Sequence, residues 1–372
     1  MKAKLPIPKL PIQGLTRRLT GQINAHLIGR LGLSLGVGAG GGALFFILDL
    51  PLPWMLGAMA AATIAALGGA PLGVPRVFRN IMVAILGVLL GSQFTPDTFS
   101  HAGEWTIGII GVISSVIAMM VLGSFFLRRI GGYDRVTAFF AATPGGLSEM
   151  TLVGEDMGGD PRRISLSHGV RVLTAVFLIA FYFRIFEGYQ PTGLPVARAD
   201  TTAWLDIVLL VGSAVIGYPV AKLIRLPAAQ LVGPLAVSAA LSFTGVVTAT
   251  PPAELIAAAQ VVLGSAIGAR FVGTAIRGLG RPVFMAVAVG LMMVLLAAGF
   301  AYGLGALTGA PGAMLFLAFA PGGLAEMSII ALSFDAEPAF VSTHHILRIA
   351  ILVVVAPLLF RWFLRKFPDA RT

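Results

Sequence analysis

The sequence predicts an all-α polytopic membrane protein: two inverted repeats of about five transmembrane helices, each carrying a re-entrant Pro-Gly-Gly hairpin. Three observations predict it. The 372 residues are 57% hydrophobic and only 11% charged, with mean hydropathy +0.92, whereas soluble domains carry about a quarter charged residues. Apolar runs long enough for a hydrocarbon core of about 30 Å recur from end to end. Finally, TPGGLSEM at 143–150 returns as APGGLAEM at 320–327.

The runs fall at 31–49, 54–69, 106–127, 164–183, 204–221, 229–246, 282–308 and 340–360. They are continuously apolar rather than alternating, which excludes a β-barrel. Residues 1–30 are polar and basic, so they read as a cytoplasmic tail and not as a signal peptide. The domain reading is a tail over 1–30, repeat 1 over 31–186, a polar linker over 187–203, repeat 2 over 204–363 and a second cytoplasmic tail over 364–372. The net charge of +10 sits in short loops and tails beside apolar runs. That is the positive-inside pattern of a membrane protein with its N-terminus cytoplasmic, so no direct nucleic-acid partner is expected. The chain has no cysteine, which rules out disulfides, thiolate metal sites and iron–sulfur clusters.

A shift of 177 residues lays the halves over each other. Between 144–171 and 321–348, ten of 28 positions are identical without a gap. The same shift matches Gly87, Gly91 and Phe94 to Gly264, Gly268 and Phe271. Internal duplication of this kind marks many transporter folds. Lysine and arginine positions decide the orientation. If the first Pro-Gly-Gly segment crosses, Lys222, Arg225, Arg270, Arg277 and Arg281 all fall outside. If it enters and leaves on one side, every basic cluster falls inside, which predicts inverted repeats.

Proline lacks an N–H and restricts its predecessor, and glycine tolerates backbone angles that other residues avoid. Gly145, Gly146, Gly322 and Gly323 should therefore end one short helix and start another at mid-bilayer. Backbone of that kind persists there only inside protein or beside a wet cavity. Glu149 and Glu326 follow in the first turn, as dipole-stabilised caps or as coupling carboxylates. Ser165, His168 and Arg171 lie at i, i+3 and i+6, as do Ser342, His345 and Arg348, each set forming one stripe on a helix. Two readings of the arginines stay open. They bind an anionic substrate with the histidines assisting, or they neutralise the glutamates, Arg171 with Glu149 and Arg348 with Glu326.

Other signals are weaker. Gly36, Gly38 and Gly41 match GxGxxG, but inside an apolar run, which reads as helix packing. The five histidines make no recognisable metal site, and no nucleophile elbow or triad order points to an enzyme.

The duplicated PGGLSEM and PGGLAEM segments, each followed by His and Arg, resemble the AbrB duplication family of bacterial inner-membrane proteins. The resemblance covers roughly 25–365. It implies an association with regulation of gene expression; the labels used are AbrB-like regulator and ammonia monooxygenase. The residues fit neither label well, since no metal or flavin site is visible for an oxygenase and no soluble DNA-binding domain is present. The expectation is thus a secondary transporter of a small anionic solute, with no cofactor and the lipid bilayer and that solute as partners. A homo-oligomer is left open. The alternatives are a membrane sensor acting on gene expression indirectly and, third, a membrane oxidoreductase.

Overall fold

A computed structural model describes residues 25–96, 102–188, 204–273, 280–334 and 336–366. Most of the expected N-terminal tail, most of the linker and the last six residues lie outside the described residues. All regular elements among those described are helices. Seven are long and apolar enough to cross a membrane.

In chain order the helices are α1 (Ala25–Ile47), α2 (Ala58–Leu67, entered through a π turn at Pro53–Gly57), α3 (Arg76–Gly91), α4 (Ala102–Arg129), α5 (Arg135–Ala142), α6 (Leu147–Asp156) and α7 (Pro161–Phe186). Then come α8 (Trp204–Leu223), α9 (Ala229–Phe243), α10 (Ala253–Gly268, extended by a 3-10 turn at Ala269–Phe271), α11 (Gly280–Thr308), α12 (Gly312–Phe319), α13 (Leu324–Ser333) and α14 (Pro338–Lys366). The bounds of α3, α5 and α6 become those of α10, α12 and α13 when 177 is added. The helix order of one half is therefore the helix order of the other.

Small residues set the packing. A Cβ on Gly41 of α1 would strike the Gly57 backbone, and one on Gly217 of α8 would strike the Gly233 backbone, so these helices touch main chain to main chain. Of the GxGxxG glycines of α1, Gly41 and Gly38 thus serve helix contact, Gly38 against Ser265 and Ala58, whereas Gly36 has open space beside it. The halves then interlock. Gly87 and Gly91 of α3 lie against the backbone of α9 at Leu231 and Leu235, while Gly264 of α10 lies against Met55 in the turn that enters α2 and Gly268 against Thr63 of α2. The long helices exchange partners too, α7 packing on α11 and α14 on α4. One hydrophobic cluster consequently draws on both halves, from Leu52 to Phe360. Ile110, Val121 and Phe125 on α4, and Phe284 and Leu295 on α11, stay exposed, as expected of surfaces whose solvent is lipid.

The interrupted segments α5–α6 and α12–α13 occupy opposite ends of α4, a helix of 28 residues and so about 42 Å long. At its C-terminal end, Asp160 N–H donates to Thr137 Oγ1 (2.8 Å) and the Arg163 guanidinium lies 5.1 Å from the Tyr133 ring centre. The start and finish of α5–α6 therefore touch there. At its N-terminal end, Trp105 and Gly108 line a cavity of about 160 Å³ with Ala310, Pro311 and Glu337, the start and finish of α12–α13. Caps fix these turns locally. Asp134 accepts from Thr137 N–H (2.8 Å), and Asp160 accepts from Arg162 N–H (2.9 Å) with Pro161 in the first turn of α7.

Candidate functional site

Each Pro-Gly-Gly break has the backbone its sequence requires, with one correction. Pro144 and Pro321 hold Thr143 (φ −70°, ψ 122°) and Ala320 (φ −54°, ψ 138°) extended, so α5 and α12 stop there. The second glycines, expected to need unusual backbone angles, do not. Gly146 sits at φ −63°, ψ 135° and Gly323 at φ −78°, ψ 153°, where any residue fits. Glycine is needed for space. A Cβ on Gly145 or Gly322 would press on Met150 or Met327, and one on Gly146 or Gly323 would meet the carboxylate of Glu149 or Glu326. The PGGLxEM motif is thus a self-packed turn, with Met folded over the first glycine and Glu over the second.

A helix that stops leaves its last carbonyls without partners. In this protein the stripe on the following long helix supplies them. His168 Nε2 bonds Phe140 O (2.9 Å), while Arg171 donates Nη1 to Thr143 O (2.9 Å) and Nη2 to Gly145 O (3.3 Å). In the second half His345 Nε2 bonds Leu317 O (2.9 Å), and Arg348 donates Nη1 to Ala320 O and Nη2 to Gly322 O (3.0 Å). Every partner in one set is 177 residues from its counterpart. The carbonyl bond requires Nε2–H, which leaves Nδ1 of each histidine as an acceptor; His345 Nδ1 takes a bond from Arg348 Nη2 (3.1 Å). All four side chains are buried.

Neither arginine pairs with a glutamate among the described residues. Their guanidinium groups serve the carbonyl ends of α5 and α12, where the helix dipole favours a cation. The serines of the stripe also behave differently from their spacing. Ser165 makes no hydrogen bond among the described residues, and the hydroxyl reaching the first break is that of Ser167, to Ala141 O (3.3 Å). Ser342 instead bonds Ser328 Oγ (2.9 Å) and Pro338 O (2.6 Å).

Three polar atoms stay buried with no protein partner here: Arg171 Nε, Arg348 Nε and His168 Nδ1. The two arginines also lie within reach of each other's charge. Glu149 is exposed whereas Glu326 is buried. The cations whose charge reaches Glu326 are Arg270 and Arg79, and Arg270 reaches His168 as well. In the sequence Arg79 and Arg270 stand beside apolar runs and outside the repeated motif. The available signal was a break in the repeat, since the 177-residue shift puts Arg270 on Gln93 and Arg79 on Ile256. The charges of Arg79 and Arg270 thus bear on Glu326, and those of Arg171 and Arg270 on His168.

A polytopic bundle with two interrupted helices, each clamped by a buried histidine and arginine, defines a class of multi-pass helical membrane protein. Residues 54–364 match the family described as "Transition state regulatory protein AbrB", and the chain belongs to it. It is similar to "Uncharacterized protein YhjN" of Bacillus subtilis (strain 168), 26% identical over 354 residues, covering 88% of this chain and 91% of that one. It is also similar to "Putative regulator AbrB" of Escherichia coli (strain K12), 25% identical over 324 residues, covering 86% and 92%.

Proposed function

We propose that this protein is a secondary transporter of a small anionic solute in the bacterial inner membrane, its N-terminus cytoplasmic, with the site where the two Pro-Gly-Gly breaks approach each other. The observation that carries the proposal is the doubled clamp. Two interrupted helices, entered from opposite ends of α4, are held by the same histidine and arginine bonds. Non-helical backbone at membrane depth, facing its counterpart from an inverted repeat, is the arrangement in which secondary transporters hold solutes near the midplane. Both segments are re-entrant in this reading, because each starts and finishes at one end of α4.

The sign of the solute follows from charge. Arg79, Arg171, Arg270 and Arg348 outnumber Glu326, and buried Nε donors remain on two of them. Charge of one sign in a low-dielectric interior attracts the other. Glu326 supplies the coupling. Its carboxylate folds over Gly323 at the start of α13, the place an anion would otherwise take, so solute and carboxylate compete.

The fold is tested with single cysteines at exposed Ile130 and Asp156, labelled with a membrane-impermeant maleimide; labelling of both from one side supports re-entry, and labelling from opposite sides overturns it. Transport is tested in proteoliposomes challenged with phosphate, sulfate and small mono- and dicarboxylates, following membrane current and internal pH. A response to one of these anions that Glu326→Gln abolishes is expected. The name of the Escherichia coli relative favours one other reading, a membrane sensor affecting gene expression indirectly. An anion that raises thermal stability without any flux would establish that reading instead.

A further inference from the structure

A groove of about 770 Å³ lies between the C-terminal part of α4, the start of α5 and the end of α14. Its wall is apolar along its length, formed by Ile117, Val121, Phe125, Phe139, Leu359 and Phe360. Its charged lining is gathered at one end, where Arg128, Arg129 and Arg135 stand with Tyr133. No acidic side chain among the described residues lines it. The Arg129 guanidinium lies 5.8 Å from the Phe125 ring centre, at the junction of the charged end and the apolar wall. Ser124 Oγ is buried within the groove with no partner among the described residues.

We infer that this groove holds one anionic phospholipid, its phosphate against Arg128, Arg129 and Arg135 and an acyl chain along α4. Length supports this occupant over a free anion. From Ile117 to Arg128 the helix rises about 16 Å, matching the roughly 15 Å of hydrocarbon in one leaflet. Three cations at the interface end of an apolar slot between helices match the chemistry of anionic lipid headgroups. An equally large groove between α3 and α8, of about 740 Å³, has no charged side chain in its lining, so the charge is particular to the α4 groove. The inference does not depend on the transport reading.

The test uses the full chain in nanodiscs of equal phosphatidylglycerol and phosphatidylcholine, with retained lipid measured by native mass spectrometry. Wild type should retain phosphatidylglycerol on the order of a hundredfold over phosphatidylcholine, as three interfacial arginines warrant. Arg128→Gln/Arg129→Gln/Arg135→Gln should bring that ratio down to the bulk value. Val121→Trp, which fills the groove at an exposed position and leaves the arginines intact, should lose the retained lipid as well. Equal retention of both lipids by wild type overturns the inference, and so does unchanged enrichment in either variant. Inorganic phosphate that displaces the retained lipid at millimolar concentration would also overturn it, by showing a site for the phosphate alone.

Discussion

Arg171 and Arg348 lie within reach of each other's charge, yet each has its Nη atoms bonded to two backbone carbonyls of its own Pro-Gly-Gly break. Two like charges are held together in an apolar interior because each sits at the negative end of a stopped helix. On the proposed function, the positive charge they bring to the space between them would favour an anion there.

Truncating either arginine should destabilise the protein. Arg348→Ala strands the carbonyls of Ala320 and Gly322 and removes the donor to His345 Nδ1, a loss of about 2–5 kcal/mol. Arg171→Ala should cost less, because one of its two bonds is long at 3.3 Å. Thermal unfolding in detergent checks the order, and a milder Arg348→Ala would show that these bonds contribute little.

The glycines of the breaks should be separable by what lies above them. In Gly146→Ala the new methyl displaces Glu149, which is exposed and free to swing away, so about 1 kcal/mol or less is expected. Gly323→Ala pushes the buried Glu326, and about 1–3 kcal/mol is expected. Equal costs would mean that the backbone, not the overlying carboxylate, requires glycine.

The two glutamates should differ in the same way. Glu149→Gln is expected to leave stability within about 0.5 kcal/mol, as surface changes do. Glu326→Gln perturbs a buried side chain folded over Gly323, and a loss of about 1–3 kcal/mol should follow. Chemical denaturation of the pair of variants measures the difference.

Helix packing gives a control within a single helix. On α1, Gly41→Val drives a side chain into the Gly57 backbone and should cost about 1–3 kcal/mol or prevent folding. Gly36→Ala meets nothing within 4 Å and should leave stability equal or slightly higher. Expression yield and melting temperature of the two variants decide it.

Much of this protein was legible before any coordinates. Composition called for a membrane protein, and the continuous, non-alternating apolar runs required that its backbone close hydrogen bonds within each segment, as helices do. The repeat was legible as ten identities in 28 positions, and the helix boundaries follow the same shift of 177 residues. Pro-Gly-Gly announced where two helices stop, since proline limits its predecessor wherever it occurs. The partners of the charged side chains were not legible. Spacing placed His168 and Arg171 on one face of α7, but only the approach of α5 brought carbonyls of 140, 143 and 145 to them in preference to Glu149. Nor could the sequence show that Glu326 is buried near Arg270 while Glu149 lies open, since both occupy the same place in the same motif. Local rules act through neighbours in the chain and were readable there. Charge partners are fixed by which helix ends meet across the bundle, and only the tertiary packing decides that.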